Sequence, residues 1–184
     1  RELLQRITYD SFRRFDDTIM AIYEDNRKFM DYLLEAGAPL PQSFLSAADF
    51  VLKTRLLEAL DRFMNTGNAE DMTEIAKDVQ RYQIHLSDSM VVRKFSHAME
   101  KIFHELAIHP AANLCYVAIA LLDALKMLRL ELDHWEAQNV VFALVHGRPL
   151  PAHLARQRVE KETIDIEAMM PALQLLADRL QVST

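Results

Sequence analysis

The sequence predicts an all-α protein, an irregular bundle of about six to eight helices. Three observations carry this. Apolar residues recur at three- and four-residue spacing along most of the chain, the period of a helix with one buried face. Only three glycines occur in 184 residues, Gly37, Gly67 and Gly147, whereas β-rich and phosphate-loop proteins need more of them. Each of the three ends an apolar-periodic run, which is where a helix stop places glycine.

The elements follow in order. Residues 9–36 read as one long helix, with Phe12, Phe15, Ile19, Ile22, Tyr23, Met30, Leu33 and Leu34 at helical spacing. Gly37 ends it, and Pro39 and Pro41 follow. A second helix runs from Ser43 to about Asn65, with Phe44, Ala47, Ala48, Val51, Leu52, Leu56, Leu60 and Phe63 inward. Thr66-Gly67-Asn68 closes it. Asn68 caps a third helix over 69–82, whose acidic residues Glu70, Asp71 and Glu74 suit its positive end. The apolar stripe of that helix is thin, so it is expected at the surface. A fourth helix spans about 88–107 and Pro110 marks its junction with a fifth, 111–131. The fifth is the most apolar and is expected at the centre. The helix that follows carries the only tryptophan, Trp135, and ends at Gly147. Arg148-Pro149-Leu150-Pro151 is a stiff connector. Residues 152–162 are charged and read as helical. A last helix covers about 165–181, where Pro171 predicts a kink or a restart. The whole reads as a single helical domain, 1–184, with 148–162 as a connector and charged segment inside it.

Composition excludes several classes. Hydrophobic residues make up 51% of the chain, so it buries a core. A net charge of −6 argues against nucleic acid as a partner. The longest apolar run, Leu114 to Leu122, is too short for a bilayer, so no membrane partner is expected. The single cysteine, Cys115, excludes an intrachain disulfide and fits a small core residue in a reducing compartment, read as the cytoplasm. The chain begins at Arg1 and not at Met, which reads as a piece of a longer protein.

One helix face stands out. With Trp135 at 0°, Gln138, Asn139 and Phe142 fall within about 60° of it at 100° per residue. Ala137, Val140, Val141 and Leu144 lie opposite, on an ordinary core face. Asp133, with Glu136 three residues on, gives the helix a start resembling a capping box. An indole beside two amides suits a sugar, whose C–H face lies on the ring while its hydroxyls need paired donors and acceptors. Spacing leaves a plainer reading open: a Trp in the core, and amides that satisfy backbone at a helix junction.

Metal and nucleophile chemistry is thin. His97 and His104 share a face, Glu100 is four residues before His104, and Glu131-x-x-His134 matches half of a di-iron pattern. No second such element, no H-E-x-x-H and no cysteine cluster accompanies it, so no metal is expected. No G-x-S-x-G elbow, G-x-G-x-x-G or Walker pattern occurs. No catalytic residue and no cofactor is assigned.

Ala36-Gly37-Ala38-Pro39-Leu40-Pro41-Gln42-Ser43-Phe44, Ala47-Ala48-Asp49-Phe50-Val51-Leu52, Trp135-Glu136-Ala137-Gln138-Asn139 and Leu175-Leu176-Ala177-Asp178-Arg179-Leu180-Gln181-Val182 carry a resemblance. They resemble the helical C-terminal region of glycoside hydrolase family 57 proteins, in the subgroup with a C-terminal domain of unknown function. The resemblance implies a parent enzyme that hydrolyses or transfers α-glucans with two carboxylates on an N-terminal barrel, which this chain lacks. The helical part would pack on that barrel. Trp135 would be a stacking platform in the glucan groove, with Gln138 and Asn139 as hydroxyl partners or supporting groups, and Phe142, on the same helix face, completes the candidate substrate-binding set. The chain itself would not be catalytic. Two rival readings remain: a helical protein-interaction module whose Trp face docks a protein, and a metal-binding bundle using Glu131, His134, His97 and His104.

Overall fold

The computed structural model describes residues 2–87, 89–150, 154 and 166–182, and the side chains of 11–87, 89–150, 154 and 168–182. Among the described residues there are seven helices: α1 (Glu2–Glu35), α2 (Gln42–Thr66), α3 (Glu70–Arg81), α4 (Ser89–Ile108), α5 (Ala112–Leu128), α6 (Trp135–Val145) and α7 (Ile166–Leu180). The expected charged helix at 152–162 lies outside the described residues, apart from Leu154.

The packing is two helix quartets that share a wall. Helices α2, α3, α5 and α4 each touch the next around one ring. Helices α4, α5, α7 and α6 do the same around a second. The expectation of a central α5 is met, since it packs on α3, α4 and α7. Its inward residues Cys115, Ala118, Leu121, Ala124 and Leu125 are buried on more than one side. That explains why this helix is the most apolar in the sequence. Helix α4 is its counterpart, touching α2, α5 and α6.

Several helices stop through one device. At the end of α1, Ala38 N–H donates to Leu33 O (2.9 Å) and Gly37 N–H to Leu34 O (3.0 Å), with Gly37 at φ +69°. This is the Schellman arrangement, which satisfies carbonyls left over at a helix end. The same pair of bonds closes α3, α5 and α7, with Gln83, Arg129 and Gln181 in the left-handed position at φ +55°, +54° and +57°. Three helix ends therefore carry no glycine signal. For that reason the sequence reading carried the fifth helix on to 131, whereas α5 ends at Leu128. At the start of α3, Asn68 Oδ1 accepts from Glu70 N–H (2.9 Å). Helix α7 runs through Pro171 without a restart. The proline is the sixth residue of the helix, so it removes one intrahelical N–H bond, the one residue 171 would make to the carbonyl of residue 167, and the helix continues past it.

Helix α1 starts well before the expected residue 9, since neither Gly nor Pro interrupts the chain before Gly37. It packs on α2 through the buried Tyr23 and Met30. A polar network then joins it to α3. Arg27 Nη2 donates to both Asp78 oxygens (3.0 and 2.7 Å), Tyr82 Oη to Asp31 (2.8 Å), and Arg81 pairs with Asp31 (3.1 Å). Tyr23 Oη reaches Asp78 at 3.5 Å. Burial, and then the neighbouring carboxylates, push both phenols above their ordinary value, Tyr82 to about 12. Towards its N-terminus α1 carries Phe12 and Phe15 in solvent, 65% and 62% exposed.

Candidate functional site

The site is set up by the turn between α5 and α6. The left-handed Arg129 ends α5, and buried Leu130 anchors the chain beyond it. Asp133 Oδ1 then accepts the Trp135 N–H at 2.9 Å, satisfying the first donor of α6. His134 holds the cap position, its Nδ1 3.3 Å from Met99 Sδ on α4. The inner face of α6, with Ala137, Val140, Val141 and Leu144 buried, packs on α4 and α7. Trp135 is left on the outside of the first turn, 69% exposed.

A pocket of about 210 Å³ opens between α4 and the start of α6. Trp135, Glu136 and Asp133 line it from one side, and Glu100, His104 and Ser96 from the other. Met99, Phe103, Ala137, Val140 and Leu154 supply apolar walls, and most of these are deeply buried. An exposed indole thus borders an apolar recess rimmed by carboxylates and an imidazole.

The four sequence candidates separate. Trp135 lines the pocket. Gln138 instead turns to α7, and its Nε2 donates to Leu180 O at 2.9 Å, tying α6 to the left-handed end of that helix. Asn139 is half-buried. Phe142 is 38% exposed, with the His146 ring at 4.3 Å and the Arg148 guanidinium 5.7 Å from its centroid. One 120° arc of α6 therefore faces two neighbours, α4 at one edge and α7 at the other. A helical wheel of α6 alone cannot show that.

The polar groups that line the pocket with Trp135 are its chain neighbours Asp133 and Glu136 and, from α4, Ser96, Glu100 and His104. The sequence flagged Glu100 and His104 for their four-residue spacing, as metal candidates. Their second signal was hidden, because it depends on which face of α4 meets α6. His97 lines a different cavity, between α2 and α4, beside Lys94 and Lys101. Among the described residues no group of three or more His, Cys, Asp or Glu is placed to hold a metal ion. No helix among them is long and apolar enough to cross a membrane.

No protein-family model, curated protein or solved structure matches the chain.

Proposed function

We propose that the chain is a non-catalytic helical domain of a carbohydrate-active enzyme, with the Trp135 groove as its sugar-contact site. The observation that supports this is the exposed Trp135 at the edge of a pocket rimmed by Glu100, Glu136 and His104. Leaving an indole in water forgoes about 3 kcal/mol of burial free energy. A sugar ring laid on it recovers part of that. Carboxylates and imidazole accept from the hydroxyls that such a ring brings. The resemblance to the family-57 helical region adds the ligand class, an α-glucan, and the larger body, a barrel. A cytoplasmic location belongs to the same reading and agrees with a lone, buried Cys115, whose thiol burial pushes up to about 11.

The single tryptophan makes the test direct. Titration with malto-oligosaccharides should shift its fluorescence saturably. Trp135→Phe should weaken the parent enzyme partially and Trp135→Ala more. Full activity in Trp135→Ala would remove the site from the glucan groove.

A second reading, a protein-interaction module, draws on α1. Phe12, Phe15, Ile22 and Phe29 are all exposed on it. Such a run of large apolar side chains marks a surface that meets another body, and in the first reading that body is the barrel. Replacing Phe12 and Phe15 with Ser should leave the fluorescence titration unchanged while weakening association with the partner domain.

A further inference from the structure

We infer that the exposed apolar stripe of α1 pairs with the same stripe of a second copy of this chain, the two helices running antiparallel across a two-fold axis. This names the body that the interaction reading left open, and it does not rest on the sugar reading. Phe12, Phe15, Ile19, Ile22, Asn26 and Phe29 follow one another at alternating spacings of three and four residues. That is the seam of a helix that meets another helix along its length. Phe12, Phe15, Ile22 and Phe29 are 40–65% exposed, and Ile19 and Asn26 are half-buried. The residues that hold α1 to the body, Tyr23 and Met30 with the partly buried Met20 and Leu34, lie on a neighbouring arc. A partner helix can therefore cover the seam without displacing α2.

Area and charge both favour a second copy. At roughly 200 Å² for an aromatic side chain, the exposed fractions amount to about 400 Å² of apolar surface per copy. With the polar side chains alongside, two copies bury about 1,000 Å², the lower bound of a specific interface. An antiparallel pair centred between Ile19 and Ile22 sets Ile19 against Ile22 of the second copy, and Phe12 against its Phe29. Asn26 falls against Phe15, with its Nδ2 already donating to Ile22 O at 2.8 Å. Arg14 and Asp25, both exposed, lie within about 20° of each other on one flank of the seam. In the antiparallel pair Arg14 comes within about 3 Å, measured along the axis, of Asp25 of the second copy, and the two-fold repeats the contact. Parallel pairing would leave them about 16 Å apart along the axis. Such exposed ion pairs add little affinity, but they fix orientation.

The test is sedimentation velocity of the 184-residue chain over concentrations from about 1 to 100 μM. The expected result is a reversible dimer with a midpoint in the micromolar range, as an interface at the lower bound of size gives. Phe12→Ser combined with Phe15→Ser should be monomeric throughout and keep the far-UV circular dichroism, because both side chains are exposed. Arg14→Glu and Asp25→Arg should each weaken the dimer severalfold, and the two together should restore it. A monomer at every concentration would overturn the inference and leave the stripe to a different partner, a barrel included. A dimer that survives the loss of Phe12 and Phe15 would overturn it by placing the contact elsewhere. Charge variants that weaken the dimer singly, with no recovery when combined, would overturn the antiparallel pairing.

Discussion

Gln138 illustrates how one side chain can move from a binding role to a structural one. Its amide donates to Leu180 O, a carbonyl in the last turn of α7 that the helix itself leaves unpaired. Gln138→Ala should cost about 1 kcal/mol in urea unfolding. It should not change the affinity of any ligand that reports through Trp135. A change in affinity without a change in stability would return Gln138 to the site. Tyr23 and Tyr82 give the chain a pH dependence at the alkaline end. Their folded values lie above the ordinary value near 10, so between about pH 10 and 12 the unfolded state has lost protons that the native state retains. Stability is therefore full below pH 10 and falls as pH rises through that window. Urea midpoints from pH 8 to 11 should show the fall, and Tyr82→Phe should flatten it. In the sequence these tyrosines were legible only as periodic residues. Asp31 and Asp78, which surround them, are 47 positions apart and meet through folding.

At the scale of elements, the helix ends separate what glycine is needed for from what merely tolerates it. Gly67 closes α2 at φ +71°, and a Cβ there would meet Val117 Cγ2 of α5 at 3.0 Å. Gly37 and Gly147 also have positive φ but face open space. Gly67→Ala should therefore cost about 1–2 kcal/mol from backbone strain plus the displacement of Val117, and the other two only the strain. Equal thermal shifts for all three variants would show that α2 and α5 part to make room. The sequence read each of these three stops correctly, because glycine is the visible residue at a left-handed position. It ran on at Arg129, where the same backbone is held by two hydrogen bonds and by the burial of Leu130. The bonds are local, but the burial of Leu130 that accompanies them lies in the tertiary structure.

At the scale of the molecule, the shared wall governs stability. Helices α4 and α5 belong to both quartets, so neither quartet can lose them and remain closed. Unfolding should be a single transition, coincident in far-UV circular dichroism and in tyrosine absorbance. Leu121→Ala, at a fully buried position on α5, should lower stability by about 3–5 kcal/mol and keep the transition single. Separate transitions would mean that the quartets are independent units. The exposed stripe on α1 lies outside this wall, and changes there should act on association and not on the core.

The fold class, the order of the described helices, the central place of α5 and the stops at glycine were all legible in the sequence. Each follows from apolar period and backbone preference, which are local. It also singled out Trp135, because a residue type can be read without its surroundings. Which edge of α6 meets α4 and which meets α7 follows from the packing of the three helices and not from the sequence of one. That packing sent Gln138 to a backbone carbonyl and put Glu100 and His104 on the same pocket as Trp135. A helical wheel fixes angles within one helix, whereas a site between helices depends on how two wheels are turned towards each other.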